Sequence, residues 1–368
     1  MKILLLTCGT GEGHNSAAFA MQEHLKRFSI ESQIFYHISF KSDKAEKRSS
    51  GIYNWVIKHM PFLFGWLYQI GRLYDFLKLP SPVYRANAKY ADRLYAYITE
   101  NSFDAVICTH LFAMEAMTAV KAKHKEIKAY GVMTDYTMLP FFKDTRLDGY
   151  FCANEFVENQ LIKKGIPKEN IYITGIPVKP CFSQRISKSE AKRLLSLGEN
   201  ERAITVLSGG VGCGNQVKLC KTLLKEFPNY KIFLLCGKNE SLKDKADSAF
   251  NGNPNIKALC FTDDMHIYMK ACDILFSKPG GLTSTEAAVA NSPLVHLKAI
   301  PGCETYNIKN FVENKMSLCG STHKKAIAAA RLLANDEALQ NELMQNQRAL
   351  IPANAAERII ETVTKNIF

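Results

Sequence analysis

No stretch of this chain approaches the roughly 20 consecutive apolar residues that span a bilayer, so no membrane-crossing helix is expected. The apolar run at the start, Ile3 to Leu6, is too short for a secretory signal and leads straight into glycines, so a cytoplasmic protein is expected. Cysteine is not scarce, but its pattern is empty: eleven residues, an odd number at irregular spacings, with no Cys-x-x-Cys pair. That gives neither a zinc ribbon nor a disulfide framework, and most of the thiols read as small buried hydrophobes of a reducing compartment. Tryptophan is rare, with only Trp55 and Trp66, both in one short stretch.

What is present points to two domains. At 368 residues the chain is longer than one typical domain, and 47% hydrophobic with 22% charged residues can build ordinary cores. The formal charge is +12. In the first half the excess sits between Lys41 and Arg93, where ten Lys/Arg face four Asp/Glu. Inside that window, residues 51–82 carry both tryptophans with Tyr53, Phe62, Phe64, Tyr68, Tyr74 and Phe76, punctuated by Lys58, Arg72 and Lys78. Basic and aromatic residues together suit a polyanionic surface, and amphipathic segments of this kind suit a lipid interface. A pair of core-packed helices is the plainer alternative.

Elsewhere the chain alternates β-rich runs with helical patterns. Lys2 to Cys8 is followed by Gly9-Thr-Gly-Glu-Gly-His14 and a helical pattern from about Asn15, then a second strand from Ser32. Glycines at the carboxyl end of a first strand mark a ligand site in open α/β sheets. The dinucleotide fingerprint fails, since the spacing is G-x-G-x-G and the second strand ends in Phe40-Lys41 without a ribose-binding acid. His14 is a candidate general base or simply a hydrogen-bonding histidine at a helix start. Asp135, after the strand Lys128 to Met133, is a candidate cleft acid or a turn residue. Gly175-Ile-Pro-Val-Lys-Pro180 reads as a linker.

The second half restarts with Ala203 to Leu207 and the loop Ser208-Gly-Gly-Val-Gly-Cys-Gly-Asn215. Asn215-Gln216 stand where a Walker loop needs Lys and Ser/Thr, so this is no P-loop. The stretch Asp273-Ile-Leu-Phe-Ser-Lys-Pro-Gly-Gly-Leu-Thr-Ser-Thr-Glu-Ala-Ala288 is again strand, glycine loop and helix start, an anion cradle. Glu286 could grip a ribose diol, or close a capping box with Thr283 as N-cap. Loops 208–215, 277–286 and 301–307 together suit a diphosphate-bearing nucleotide, held in the cleft between two α/β units. One long helix is expected from about Lys324 to Arg348 and another from Ala353.

Taken in order, Gly9 to Ala18, Thr134-Asp135-Tyr136, Thr174 to Val178, Ser208-Gly-Gly210, Ser277 to Gly281 with Glu286, and Pro301-Gly-Cys-Glu304 with Asn307 resemble the monogalactosyldiacylglycerol synthases and processive diacylglycerol glucosyltransferases. These are inverting glycosyltransferases of the GT-B fold, related to the lipid-linked N-acetylglucosaminyltransferase of peptidoglycan synthesis. The resemblance covers nearly the whole chain. It implies two Rossmann-like domains facing across a cleft, residues 1–178 and 179–350, with residues 351–368 a helix returning to the first domain.

The resemblance also implies roles. Ser208, Gly209 and Gly210 with Lys278, Pro279, Gly280 and Gly281 would face the donor diphosphate, and Glu286 would hold the ribose. Phe261 and Met265 would border the uracil, and Glu304 and Asn307 would contact the sugar. Cys303 stands where the family more often has an amide or acid, which bears on sugar choice. His14 would be the base for the acceptor hydroxyl, with Gly11 and Gly13 in its loop and Asp135 as alternative base or orienting residue. Trp55, Phe62, Phe64, Trp66 and Arg72 would meet anionic membrane lipids at the inner face of the cell membrane, rather than nucleic acid. The donor would be UDP-glucose or UDP-galactose, glucose preferred, and the acceptor diacylglycerol. No Asp-x-Asp motif occurs, so no obligatory metal or other cofactor is expected. A polyprenyl acceptor, sugar-nucleotide epimerisation and non-catalytic sugar-nucleotide sensing are the alternatives.

Overall fold

A computed structural model of the chain describes residues 1–9, 12–36, 71, 81–209 and 215–367. Lys2–Thr7 (β1), Glu31–Tyr36 (β2), Ala105–Cys108 (β3), Lys128–Val132 (β4), Gly149–Cys152 (β5) and Ile171–Ile173 (β6) form one sheet in the order β2-β1-β3-β4-β5-β6. Every neighbouring pair is parallel. Parallel sheets are covered by crossover helices on both faces, which is why Ile3–Leu6 and Ala105–Cys108 are unbroken apolar runs without exposed side chains.

Arg202–Leu207 (β7), Tyr230–Leu235 (β8), Ile256–Leu259 (β9), Ile274–Ser277 (β10), Leu294–Leu297 (β11) and Leu318–Gly320 (β12) form a second parallel sheet, ordered β12-β11-β10-β7-β8-β9. The strand β12 has three residues, too few for a periodic pattern to announce it. The chain divides into two compact units, one of Met1–Pro180, Pro301–Tyr306 and Pro352–Phe368, the other of Cys181–Ile300 and Asn307–Ile351. Pro301–Tyr306 thus groups with the first unit, away from the second domain in which the sequence reading kept it.

Each sheet has one place where the strand order reverses. In the first it lies between β1 and β3, and in the second between β7 and β10. Ligands in open α/β sheets bind outside the carboxyl ends of strands at such switch points.

The C-terminal helix Ala355–Lys365 returns to the first sheet because of its own pattern. Ala356, Ile359, Ile360 and Val363 recur at helical spacing and are buried against Ile3, Leu5, Met21 and Leu25. Fully burying such an aliphatic side chain contributes about 1.5–3 kcal/mol. The single helix expected over 324–348 is instead two, His323–Asn335 and Glu337–Leu350. Asp336 breaks it, with an extended backbone (φ −127°, ψ 91°) and a side chain that accepts from the Leu339 N–H at 2.8 Å. An N-capping aspartate competes with helix continuation, so it ends one helix and starts the next.

Candidate functional site

At the first switch point the helix Glu12–Arg27 leaves β1 with His14 near its start. Thr7 of β1 donates a buried hydrogen bond to Asn15 Oδ1 at 3.0 Å, fixing where that helix begins. His14 Nδ1 lies 2.9 Å from the carbonyl oxygen of Thr109, beyond β3, and 2.8 Å from the Thr134 hydroxyl, beyond β4. A carbonyl oxygen only accepts, so Nδ1 carries the ring proton and Thr134 shares it. Nε2 is left with its lone pair. Burial pushes the His14 pKa down to about 4, opposed by the Thr109 carbonyl, so the ring is neutral near pH 7. A neutral imidazole with an open acceptor nitrogen is what a general base requires.

His110 supports this arrangement. Its ring meets His14 edge-on with centroids 4.5 Å apart, and its Nδ1 accepts from the Phe112 N–H at 3.1 Å, capping the helix Leu111–Lys123. Beside His14 is a small pocket. Thr134 and Asp135 make its polar wall, and Leu111, Met114, Val132, Leu139 and Phe142 its apolar one. Gly131 of β4 backs Met114 closely: a Cβ there would stand 2.9 Å from the Met114 sulfur. Burial, with the nearby Asp135 carboxylate, raises the Cys303 thiol well above its ordinary pKa.

At the second switch point the groups are mostly backbone. β7 leads into Ser208-Gly209, and Gly209 has a left-handed φ of 67° that favours glycine. The Lys278 side chain crosses it, with Cδ 3.6 Å from the position of a Gly209 Cβ, so the loops after β7 and β10 are adjacent. The helix Gly281–Val289 has Gly280 as its N-cap, without a side chain to accept from the first turn. Those N–H groups and the positive end of the helix dipole are suited to an anion. The capping box of Thr283 and Glu286 does not form, because glycine lets the helix begin three residues earlier. Glu286 therefore lies in the second turn, 6% exposed.

Two buried side chains brace this loop and helix. Asn307 Nδ2 donates to the Pro279 carbonyl at 2.9 Å. His296 of β11 bridges Ser284 Oγ (Nε2, 2.9 Å) and Ser317 Oγ (Nδ1, 2.9 Å), and burial pushes its pKa down to about 3. A neutral ring between two hydroxyls donates once and accepts once.

Residues 14–178 match the family model described as monogalactosyldiacylglycerol (MGDG) synthase, and residues 203–363 match the glycosyltransferase family 28 C-terminal domain. The chain thus carries an MGDG-synthase domain followed by a glycosyltransferase family 28 C-terminal domain, and it is a glycosyltransferase. It is 26% identical to the processive diacylglycerol beta-glucosyltransferases of Bacillus pumilus and Bacillus subtilis, over 99% of this chain and 94% and 95% of theirs. Among solved structures it is similar to Acinetobacter baumannii MurG (TM-score 0.63, 15% identity, 99% of each chain). It is also similar to the Neisseria meningitidis UDP-GlcNAc 2-epimerase bound to UDP-GlcNAc (TM-score 0.64, 16% identity, 99% and 100% covered). These likenesses show the GT-B fold.

In this glycosyltransferase the remaining residues singled out from sequence fall in several places. Phe261 is 64% exposed after β9, and Met265 opens the helix Met265–Ala271 half-buried. Gly13 is half-buried near the start of the first helix, and Glu304 is half-buried in the first turn of the helix Cys303–Glu313. Gly11, Gly210 and the aromatic-basic residues Trp55, Phe62, Phe64, Trp66 and Arg72 lie outside the described residues. No helix among the described residues is long and apolar enough to cross a membrane, and none of their His, Cys, Asp and Glu side chains group to hold a metal ion.

The bracing histidines were missed. His296 interrupts the apolar run Leu-Val-His-Leu, and His110 stands at a strand-to-helix junction, which are the signals that mark them. Glu115 was missed too. It is wholly buried, accepts from Asn87 Nδ2 at 2.7 Å, and is pushed up to about 8 by burial.

Proposed function

We propose that this glycosyltransferase moves a hexose, glucose in preference to galactose, from UDP to the free hydroxyl of diacylglycerol at the inner face of the cell membrane. His14 Nε2 takes the hydroxyl proton, and the oxygen attacks the anomeric carbon as the bond to UDP breaks, inverting that centre. Asp135, on the same pocket wall, stabilises the imidazolium as it forms. This offsets the low intrinsic basicity of the buried ring.

The diphosphate lies on the loops around Gly209–Gly210 and Lys278–Gly281, where backbone N–H groups and the helix dipole stabilise the departing charge. Glu286 takes the ribose hydroxyls, Phe261 and Met265 flank the uracil, and Glu304 contacts the sugar. Asn307 holds Pro279 in place for it. Residues 51–82 dock on anionic lipid through Trp55, Phe62, Phe64, Trp66 and Arg72.

The observation that carries this reading is a neutral, acceptor-ready His14 in a pocket whose other wall is aliphatic and aromatic. A water-soluble acceptor would gain nothing from that wall, whereas a hydroxyl on a lipid places its apolar neighbours there. The names of the full-length Bacillus relatives agree with it.

The test is transfer of radiolabelled sugar from UDP-glucose or UDP-galactose into anionic liposomes containing diacylglycerol. Labelled glycolipid, lost in His14→Ala and Glu286→Ala, is expected. Tight UDP binding and liposome association without labelled lipid would remove diacylglycerol as acceptor and direct the search to polyprenyl lipids. Conversion of the UDP-sugar itself would reveal an epimerase, and binding without turnover a sensor.

A further inference from the structure

The strands β8 and β9 run in register, Leu235 against Leu259, and the next residue on each is a cysteine, Cys236 and Cys260. The Cys236 N–H donates to the Leu259 carbonyl at 2.7 Å, so the ladder still holds at this level. Neighbouring strands lie about 4.8 Å apart, within the roughly 4.4–6.8 Å that a disulfide spans between Cα atoms. Side chains alternate along a strand, and Leu234 and Ala258 both pack into the core that includes Leu242 and Ala246 of the helix Glu240–Phe250. Cys236 and Cys260 therefore face that same side. Cys236 is wholly buried, Cys260 is exposed, and both are free thiols. Lys243 of the same helix, paired with Asp247, is close enough for its charge to act on both.

We propose that Cys236 and Cys260 are an oxidisable thiol pair, closed to a disulfide by a hydroperoxide. The exposed Cys260 reacts first: its thiolate attacks one peroxide oxygen, the O–O bond breaks, and the departing hydroxide (or alkoxide) takes a proton from solvent to leave as water (or an alcohol). Cys260 is then a sulfenic acid. Cys236 attacks its sulfur, the S–O bond breaks, and the Cys236 proton leaves with the hydroxyl as water. The two thiols lose two electrons and the peroxide gains them. Burial, more than the neighbouring Cys260 thiolate, holds the Cys236 thiol up at about 11, which suits a resolving thiol and not the first attacker.

The new bond would stand immediately before Phe261. On the proposed reading that Phe261 borders the uracil, oxidation alters donor binding. The formation of the bond does not depend on that reading.

The experiment treats the reduced full-length protein with a small excess of hydrogen peroxide, blocks remaining thiols by alkylation after unfolding, and maps the peptides by mass. A 236–260 disulfide is expected, reversed by dithiothreitol and absent in Cys260→Ser, in which Cys236 stays alkylatable. Cys236→Ala should leave Cys260 to proceed to sulfinic acid. Finding Cys260 overoxidised in the wild type while Cys236 remains a thiol would overturn the proposal. In parallel, the KM for UDP-glucose should rise several-fold on oxidation and recover with dithiothreitol, with Cys260→Ser unaffected by peroxide. A mapped disulfide with unchanged KM keeps the thiol pair and removes Phe261 from the donor site.

Discussion

At the carboxyl end of β1 the candidate groups are side chains: His14, held by Thr109 and Thr134, with His110 against its ring and Asp135 on the wall. At the carboxyl end of β10 they are backbone N–H groups, freed by Gly280 and aligned with Gly209 and Lys278. Both places are switch points of parallel sheets, yet they have been equipped in opposite ways. A proton acceptor needs a titratable ring in a set tautomer, which only a side chain can supply. A diphosphate needs several donors converging on one volume, which a glycine-capped helix start supplies without side-chain entropy to lose.

The largest expected effect tests this division directly. His14→Ala should lower kcat by about 10²–10⁴-fold, the range for losing a general base, while the Kd for UDP stays unchanged. Gly209→Val should do the reverse. A β-branched residue at φ 67° is strained by about 1–3 kcal/mol, so UDP binding should weaken at least several-fold with a smaller change in kcat. If both variants lose UDP affinity equally in calorimetry, the division between the two switch points is wrong.

The pH profile sharpens the comparison from one side only. As the proposed base His14 would act in its neutral form, and burial holds its pKa down at about 4, so kcat/KM should stay level on acidification to about pH 5 and fall toward pH 4. The stability consequence has a definite sign. The unfolded chain, with an ordinary histidine near 6.5, takes up its proton first. Wild type should therefore lose stability relative to His14→Gln as pH falls from about 6.5 to 4, and lose no more below that. Urea midpoints across the window check it, and a wild-type advantage that grows on acidification would show that the ring is charged in the fold.

These two regions were not equally legible in sequence. Strand, glycine loop and helix start are local patterns, so the α/β class and the order strand, glycine loop and helix from Ile274 to Glu286 could be read. The helical spacing of Ala356, Ile359, Ile360 and Val363 likewise announced an amphipathic helix. Long-range pairings could not be read. Nothing local says that His14 meets Thr109 and Thr134, or that His296 joins Ser284 to Ser317, because tautomer and orientation come from elements far apart in the chain. Local rules also misled where two competed. Thr283 is a good N-cap by type, but Gly280 preceded it, and Asp336 satisfied the ends of two helices where one was expected.

A smaller effect is expected from the brace of the backbone site. Asn307→Ala leaves the buried Pro279 carbonyl without its donor, a cost of about 1–3 kcal/mol. The KM for UDP-glucose should rise, while kcat and the apparent affinity for diacylglycerol stay near wild type. Asn307→Asp should not rescue, since a carboxylate accepts where Pro279 needs a donor. Loss confined to kcat would place Asn307 in the chemistry and not in the support of the loop.

The smallest expected effect bears on the side-chain site. Alanine at Gly131 puts a methyl 2.9 Å from the Met114 sulfur, 3.1 Å from its terminal carbon and 3.3 Å from Leu147 Cδ1. A thioether is the easiest of core side chains to displace, so overpacking should cost no more than about 1 kcal/mol, the low end of its usual range. Met114 also lines the pocket beside His14, so what yields is pocket volume. Gly131→Ala should therefore raise the apparent KM for diacylglycerol more than that for UDP-glucose, and more for long acyl chains than for short ones. The backbone site, built on a separate sheet, should not register the change at all. An unchanged lipid KM with normal stability would mean that the acyl chains lie elsewhere and that the pocket serves only to exclude water from His14.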